Sequence, residues 1–449
     1  MAGLLLGVAL DTVLGDPRRG HPVAAFGRIA GRLERRMHAD AKPRGVLYTG
    51  LCVGGALALG VAADRLAGTG ARRNAAGARK REQLHDHGGG SPAVFAGPGV
   101  RAAGVGAHGV RTSGGWSLAR TATTGLATWA VLGGTSLGRE GTLMARALEA
   151  GDLDAARARL PHLCARDPRG LDAKALARAT VESIAENTSD AAVAPLLWGA
   201  VAGVPGLLAY RAINTLDAMV GYRNPRYENF GWAAARLDDL ANWIPARVTG
   251  LLTVACATLA GPAPTSVAPC PDAGSGEQLH DHGRGPSAVI MQLFPLPRSG
   301  PRGHRTERPA RARTVSARTR TASAQARTAS ARTRVASAQA RTASAQARTA
   351  IARSRESYEV LRRDGGAHPS PNAGRCEAAF AGALGVRLGG VNSYDGRVEE
   401  RPELGDGRPP EVADIRRAVR LSRAVTLTAA LLSAVIMHLF ARATRGGRP

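Results

Sequence analysis

The chain has 449 residues and a formal net charge of +25, with 60 Lys and Arg against 35 Asp and Glu, and only 4% of it is aromatic. A basic excess of this size is typical of nucleic-acid-binding proteins, but 18 of the arginines fall with only seven acidic residues in one biased segment, residues 262–365. Much of the remaining positive charge lies in short loops beside apolar runs, where Arg sets the orientation of a membrane protein, so the charge does not indicate a nucleic-acid partner.

Apolar runs rich in Gly and Ala recur along the chain with basic residues beside them. A membrane helix needs about 20 mostly apolar residues. Gly and Ala are expected where helices pack closely in lipid. The runs without Asp, Glu, Lys or Arg are residues 46–63, 191–210 (bent by Pro195 and Pro205) and 424–441. Weaker candidates are residues 117–137 and 244–261, each with an internal Arg, and the short first segment, residues 2–14.

Polar segments with helical spacing connect these runs. They cover residues 139–165 and residues 171–190, where Asp172 is the expected N-cap. No alternating strand pattern of useful length occurs. We therefore predict an all-α fold, a polytopic membrane helical bundle with polar interfacial helices. Buried helices of a soluble protein are the alternative.

Two segments of low complexity interrupt this pattern and are predicted to be disordered inserts. The second contains a tandem seven-residue repeat of the type TASAQAR from Thr321. A coiled coil would need large apolar residues at two positions of each heptad, and Ala, Ser and Thr recur instead. The predicted organisation is membrane segments (1–67), insert (68–116), membrane and catalytic core (117–261), insert (262–362), and a C-terminal catalytic motif with the last membrane helix (363–449).

The first of three polar blocks, residues 11–27, reads DTVLGDPRRGHPVAAFG. Turn chemistry accounts for its Gly and Pro residues. It does not account for Asp11, which lies inside an apolar run, where an ionisable residue is costly and usually functional. Asp11, Asp16 and His21 are therefore candidate substrate-binding residues.

The second block, residues 181–247, is the densest in acids and amides. Glu182 and Glu186 are spaced i,i+4 and share a helix face. Paired carboxylates and amides of this kind can hold Mg²⁺ and, through it, a nucleotide phosphate. Helix caps and interhelical hydrogen bonds are the structural alternative. The candidate catalytic residues are Glu182, Glu186, Asn187, Asp190, Asp217, Asp238 and Asp239, with a Mg²⁺ site at Glu186, Asp190 and Asp239.

The third block, residues 368–394, combines two prolines, a helix that Asn372 is expected to cap, and a turn at Gly389-Gly390. Gly-rich turns can approach phosphate closely, but the chain has no GxxxxGK[ST] motif. The remaining candidate substrate-binding residues, from the second and third blocks, are Asn214, Tyr222, Arg223, Asn242, Arg247, His368, Asn372, Asn392 and Tyr394.

In these blocks the sequence resembles the CobD/CbiB family, the adenosylcobinamide-phosphate synthases of cobalamin biosynthesis. The matching motifs include GDPRRGHPV from Gly15, VESIAENTSDAAVAPLLW from Val181 and HPSPNAGRCEAAFAGALGVRLGGVNSY from His368. They are long and stand in the family's order. The resemblance covers residues 1–65, 117–261 and 360–440 and leaves out both inserts.

The resemblance implies a multi-pass enzyme of the bacterial cell membrane, an acid–amine ligase. Such an enzyme uses ATP, with Mg²⁺ as the inferred metal, to activate a propionate of adenosylcobyric acid as an acyl phosphate. The amine of aminopropanol or its phosphate then forms the amide, so the corrinoid is a substrate and not a cofactor. Membrane lipid and other membrane enzymes of the corrinoid pathway are the expected partners. Within the matched motifs, Arg223, Arg226 or Arg247 could hold phosphate, and Glu186 could take the amine proton.

Two alternatives from other classes remain. A membrane transporter or carrier subunit would also place acidic residues inside the membrane, and it would predict an internal inverted repeat, which the sequence does not show. A nucleic-acid or anionic-lipid binder driven by the Arg repeats predicts that loss of residues 321–355 abolishes function. A ligase predicts that this loss leaves activity largely intact.

Overall fold

A computed structural model describes residues 1–16, 20–86, 114–222, 224–261, 348–394 and 397–446. Helices dominate this part of the chain, as predicted. Helices α1 to α6 are Ala2–Leu14, Pro22–Met37, Lys42–Asp86, Gly114–Val131, Gly134–Glu149 and Leu153–Arg159. Helices α7 to α10 are Ala173–Thr188, Ala194–Val220, Trp232–Ala241 and Trp243–Cys256. Helix α11 covers residues 348–364, α12 is Ala373–Leu384 and α13 is Val412–Gly446.

Helix α7 lies at the centre of the bundle. Its Leu176, Val181 and Ile184 are fully buried, and the helix packs against α5, α12 and α13. Helix α13, in contrast, exposes a row of apolar side chains at i,i+4 spacing, each more than half exposed: Leu427, Leu431, Val435 and Leu439. An apolar row without a protein cover is suited to contact with lipid.

Four helical stretches of the described chain are long and apolar enough to cross a membrane: Lys42–Thr69, Ala173–Val220, Trp243–Ala260 and Val412–Ala443. They contain the three uncharged runs and also the weaker run at residues 244–261. The run at residues 117–137 falls on α4 and the start of α5 and is not among them. The polytopic helical bundle is therefore confirmed. Of the two weaker candidate spans, the one at residues 244–261 is supported and the one at residues 117–137 is not.

Small residues let the helices approach closely. A Cβ on Gly7 of α1 would lie 2.3 Å from the Cβ of Thr128 in α4, and one on Gly60 of α3 would lie 2.5 Å from the Cα of Pro205 in α8. Any larger side chain would push these helices apart. Pro205 follows Gly203, whose φ of 64° and ψ of −147° interrupt α8.

Helices α7 and α8 are joined by a π-helical turn, Ser189–Val193. Pro195, at the start of α8, has no N–H to donate to the carbonyl of Ala191 four residues back. That carbonyl accepts the N–H of Gly133 at 3.0 Å instead. The connection between α4 and α5 thus supplies the hydrogen bond that the proline cannot make.

A β-hairpin follows α12 and departs from the expectation of an all-helical chain. Strand β1, Leu388–Tyr394, pairs antiparallel with β2, Arg397–Leu404, with an irregular register between Leu388 and Gly390. Gly389 and Gly390 have φ of 86° and 81°, values that favour glycine. The two glycines therefore bend the start of a strand, where the sequence had predicted a turn.

Helix α11 overlaps the end of the predicted insert at residues 262–362. Ser357 is fully buried and donates to a main-chain carbonyl of α12 at 2.9 Å, and Val360 is also buried. Residues from 349 onward therefore pack with the helical bundle, although the compositional bias of the predicted insert continues to residue 362. Residues 68–86 likewise continue α3, residues 114–116 begin α4, and the rest of both predicted inserts lies outside the described residues.

Candidate functional site

A small polar cavity, which we call the carboxylate cavity, lies where α7, α9, α10 and α12 meet. Its volume of about 30 Å³ has room for about two water molecules. It is lined by Glu186, Ser189, Asp190, Asp238, Asp239, Asn242, Ala246, Ser370, Asn372, Ala373 and Cys376. These residues come from the second and third polar blocks, which are far apart in the sequence.

The end of α7 and the π-helical turn supply one wall of the carboxylate cavity. Glu186 lies in the last turn of α7, and Ser189 and Asp190 open the π-helical turn. Such turns inside helices are rare and occur frequently at functional sites. Here the turn delivers Ser189 and Asp190 to the cavity that Glu186 also lines.

Helices α9 and α10 supply another wall through Asp238, Asp239 and the intervening Asn242. Asn242 is 2% exposed. Its Nδ2 donates to Asp238 Oδ2 at 3.0 Å, and its Oδ1 accepts from the Tyr210 hydroxyl at 2.8 Å. These bonds hold Asp238 in place. Its Oδ1 lies near the Asn214 amide but is buried without a hydrogen-bond partner of good geometry in the described chain.

The segment before α12 closes the cavity. Asn372 donates through Nδ2 to the main-chain carbonyl of Asp239 at 2.8 Å. Its Oδ1 is buried and has no hydrogen-bond partner among the described residues. Ser370 accepts the N–H of Ala373 at 3.2 Å and so orders the entry to α12. The second and third polar blocks thus meet in one site.

The surroundings of this cavity are strongly acidic. Burial and, next in size, the nearby charge of Asp217 together raise the pKa of Asp238 to about 7. Burial, with Glu182 and Glu186 as neighbouring charges, also raises the pKa of Glu377 in α12. A carboxyl group that titrates near neutrality can accept a proton at physiological pH. The arrangement is therefore suited to proton transfer.

In the part of the chain that the structure describes, no three His, Cys, Asp or Glu side chains come close enough together to hold a metal ion. Mg²⁺ commonly takes only one or two protein carboxylates and completes its shell with water and substrate phosphates. The predicted ligands Glu186, Asp190 and Asp239 all line the cavity. They could hold Mg²⁺ in pairs, and the magnesium site stays a prediction.

Glu182 is engaged outside the carboxylate cavity. Its Oε2 lies 2.6 Å from Arg166 Nη2, and its Oε1 accepts the N–H of Gly389 at 2.8 Å. Arg178, one turn earlier on α7, donates to the Gly389 carbonyl and, at 3.2 Å, to Asn392 Oδ1. These contacts fasten β1 to α7. Glu182 and Asn392 therefore hold the hairpin, and neither lines the cavity.

His368 lies between the hairpin and the segment that closes the cavity. Its Nδ1 accepts the N–H of Ser370 at 3.0 Å, and its Nε2 lies 3.2 Å from Arg401 Nη1. Burial and the positive charge of Arg401 lower the pKa of His368. The imidazole is therefore neutral at pH 7 and supports Ser370, which does line the cavity.

In the first block, Asp11 caps a helix from a distance. Its Oδ2 accepts the N–H of Thr135 at 3.2 Å and the Thr135 hydroxyl at 2.9 Å. The N-cap residue of α5 is Gly133, which has no side chain to accept these protons. Helix capping thus engages Oδ2, while Oδ1 is buried without a hydrogen-bond partner among the described residues. Asp11 does not line the cavity, and its role in substrate binding stays a prediction.

Asp16 and His21 approach the site indirectly. The side chains lie 3.6 Å apart, and His21 Nδ1 caps α2 by accepting the N–H of Val23 at 3.1 Å. Arg211 of α8 interacts electrostatically with both Asp16 and Asp190. This arginine therefore links the first block to the carboxylate cavity.

The other predicted residues are dispersed. On α8, Asn214 accepts from Arg211 Nη1 at 3.3 Å, and Asp217 interacts electrostatically with Asp239 and Glu186, so both flank the cavity. Three more are placed away from it: Asn187 donates within α7, Arg247 stacks 4.0 Å from the Trp243 ring, and Tyr222 lines a separate, larger cavity. Arg223 and the side chain of Tyr394, the last residue of β1, lie outside the described part of the chain.

Ser189, Ser370 and Cys376 line the cavity and were missed as candidates. All three lie inside the second or third polar block, and this position was the only feature of the sequence that pointed to them. Ser is common in caps and turns for structural reasons, and a single Cys is usually a small buried apolar residue. Residue type alone therefore could not have selected them.

Comparison with known proteins finds relatives along nearly the whole chain. The model of the family described as CobD/Cbib protein matches residues 4–279 and 302–422, and so runs through residues 68–116 and part of 262–362, which the resemblance had left out. The chain is 38% identical to the cobalamin biosynthesis protein CobD of Mycobacterium tuberculosis over 436 residues, 97% of this chain and 95% of that protein. It is 33% identical to the protein of that name from Geobacter metallireducens over 439 residues, 97% and 96% of the two chains. No solved structure matches.

Proposed function

The chain belongs to the CobD/CbiB family of cobalamin biosynthesis proteins, and from that premise we propose that it is an ATP-dependent amide ligase. In this proposal it converts adenosylcobyric acid to adenosylcobinamide or its phosphate. The bond formed joins a propionate carboxyl of the corrinoid to the amine of aminopropanol or aminopropanol phosphate. The proposed location is the cell membrane of a bacterium.

The observation that carries the proposal is the carboxylate cavity itself. Glu186 and Asp190 from one polar block and Asn372 from another, nearly two hundred residues later in the chain, line the same small cavity beside candidate membrane spans. Asp238 contributes Oδ1, which has no hydrogen-bond partner of good geometry among the described residues. Buried polar atoms without partners are rare in folded proteins, and they indicate a ligand that supplies the missing donors.

The chemistry needs the carboxyl group to be activated, because a carboxylate does not release oxide to an amine. A carboxylate oxygen of the corrinoid forms a bond to the γ-phosphorus of ATP while the bond from that phosphorus to ADP breaks. The amine nitrogen then attacks the acyl carbon, phosphate leaves with the bonding pair, and the nitrogen loses a proton. Mg²⁺, when bound, neutralises the negative charge of the phosphates.

The residues of the cavity divide these tasks. Asp238 receives the amine proton, because it lines the cavity and its Oδ1 has no hydrogen-bond partner of good geometry in the described part of the chain. Glu186 lines the same space and is the other acceptor. Asp190 and Asp239 are the proposed carboxylates for Mg²⁺, in keeping with its preference for one or two such ligands. Asn372 fixes the position of Asp239 through its main-chain carbonyl.

The size of the cavity limits what it can admit. A volume of about 30 Å³ is far below the roughly 300 Å³ of even a small ligand pocket. Only the reacting end of a substrate therefore enters, and the corrin ring and the nucleoside remain outside. Membership in a biosynthetic family also favours an enzyme over the transporter considered above.

The proposal is tested by complementation. The chain is expressed in a cobalamin auxotroph that lacks this step and is fed adenosylcobyric acid, and cobinamide formation is measured by mass spectrometry. We expect growth and a product whose formation in membranes requires ATP. If a well-expressed, membrane-inserted protein fails to restore cobinamide formation, the proposed reaction is wrong.

A further inference from the structure

A second cavity, which we call the outer cavity, adjoins the carboxylate cavity. Its volume of about 430 Å³ falls in the range of roughly 300–1,000 Å³ that is usual for small-ligand sites. Its walls are the first residue of α3, the connection from α8 to α9, and one face of α9. Asp239 lines both cavities, so a ligand in the outer cavity can present one end to the inner carboxylates.

Two cations line the outer cavity, Lys42 and Arg236. Lys42 Nζ lies 5.6 Å from the centre of the Trp232 ring, and no carboxylate of the described chain pairs with it. Arg236 lies 3.6 Å from Asp239, with 63% and 37% of the two side chains exposed. An ion pair this exposed contributes little and exchanges readily. Both cations are therefore available to an anionic ligand.

The outer cavity also lies at an end of the candidate membrane spans. Lys42 begins one span, Val220 ends a second just before the α8–α9 connection, and Trp243 begins a third directly after α9. Trp232 and Trp243 are 43% and 51% exposed, and Trp is enriched at membrane–water interfaces. A charged, water-soluble ligand can therefore reach this cavity without crossing the apolar layer.

We propose that the outer cavity binds the phosphate of a phosphorylated substrate through Lys42 and Arg236, with the reacting end of that substrate directed past Asp239 into the carboxylate cavity. The part that this site plays in the reaction rests on the proposed function. Lysine and arginine are the usual partners of phosphate. Glu228, which is exposed, and Asp239 are the acids on the wall, so the phosphate contacts in this proposal are the two cations.

Phosphate could come from either of two substrates, the amino-alcohol phosphate or ATP. Equilibrium binding of each to the purified full-length protein, in lipid nanodiscs, distinguishes them. We compare the wild type with Lys42→Ala and Lys42→Arg, and with Lys174→Ala as a matched control, because Lys174 is an exposed lysine of α7 outside both cavities. Free aminopropanol serves as the ligand without phosphate.

We expect Lys42→Ala to weaken binding of one phosphorylated ligand about tenfold, the loss of one charge-assisted hydrogen bond. Lys42→Arg should restore most of the affinity, and Lys174→Ala should change nothing. The ligand whose binding is weakened by Lys42→Ala is the substrate that supplies the phosphate. The proposal is overturned if the wild type binds neither phosphorylated ligand, or if Lys42→Ala binds both as the wild type does.

Amide formation is measured on the same preparations. Lys42-dependent phosphate binding by a protein that forms no amide would reject the proposed function and leave the outer-cavity site standing. Amide formation by a protein whose phosphate binding does not depend on Lys42 would reject the outer-cavity site and leave the proposed function standing.

Discussion

Arg166 Nη2 lies 2.6 Å from Glu182 Oε2, and both side chains are buried, with 4% and 7% exposed. The second oxygen of Glu182 accepts the N–H of Gly389. Glu186, one helical turn later, lines the carboxylate cavity instead. Two acids on one helix face therefore have different surroundings: one connects α7 to the hairpin, and the other borders the proposed site of reaction.

Removal of Glu182 should destabilise the protein. Glu182→Ala leaves Arg166 buried without its carboxylate and Gly389 without its acceptor, and breaking a buried ion pair costs about 3–5 kcal/mol. We expect a lower midpoint of thermal unfolding in detergent for Glu182→Ala and little change for Glu186→Gln. A Glu182→Ala protein of wild-type stability that forms no amide would instead assign Glu182 to the chemistry.

Removal of two cavity acids should abolish turnover without loss of the fold. Glu186→Ala combined with Asp190→Ala should reduce amide formation at least about a hundredfold, the scale of acid–base catalysis. Membrane insertion should persist, because the change relieves repulsion among neighbouring carboxylates. The control is Asp154→Ala with Glu359→Ala, two exposed acids in surface ion pairs. Near-normal activity of the cavity variant would remove the carboxylate cavity from the mechanism.

Stability should fall on mild acidification through His368. Burial and Arg401 lower its pKa below the ordinary 6.5, while the backbone hydrogen bond with Ser370 and the charges of Glu182 and Glu399 act in the opposite direction. The unfolded chain therefore binds the proton more readily, and the free energy of unfolding is retained above pH 6.5 and decreases below it. His368→Gln should flatten the dependence of the unfolding midpoint on pH between 5 and 7. Equal slopes for variant and wild type would contradict this expectation.

The Arg-rich repeat should be dispensable only up to residue 347. Loss of residues 321–347 should change activity by less than about twofold, because shortening a connection whose composition predicts disorder costs little. Loss of residues 321–355 also removes the start of α11 and Arg353, whose Nη1 donates to the Gly261 carbonyl at 2.7 Å. That longer deletion should lower both the unfolding midpoint and the yield of inserted protein. If the shorter deletion abolishes activity, the repeat has a role that its composition does not indicate.

The helical, membrane-spanning character of the chain was readable from the sequence, because run length and apolar composition are local properties. The irregular backbone at Pro195 and Pro205 was also predictable, because the N–H that proline lacks breaks a hydrogen bond within the same helical turn. The β-hairpin was not readable. Its first arm is Gly-rich and its second is mostly charged, and β1 is held by Arg178 and Glu182, about two hundred residues earlier in the chain.

The acidic blocks that resemble the family were likewise evident in the sequence. Which of their acids share a site could not be read from it. Spacing placed Glu182 and Glu186 on one face of α7, but their roles differ because different segments pack against the two turns. Glu182 meets Arg166 and the hairpin, whereas Glu186 faces α9 and the segment that contains Asn372. Lys42 carried no sequence signal, because its place in the outer cavity arises from the packing of α3 against α9. Local pattern determines what each helix is, and the contacts between distant segments decide which side chains share a cavity, since those contacts set the rotation of each helix.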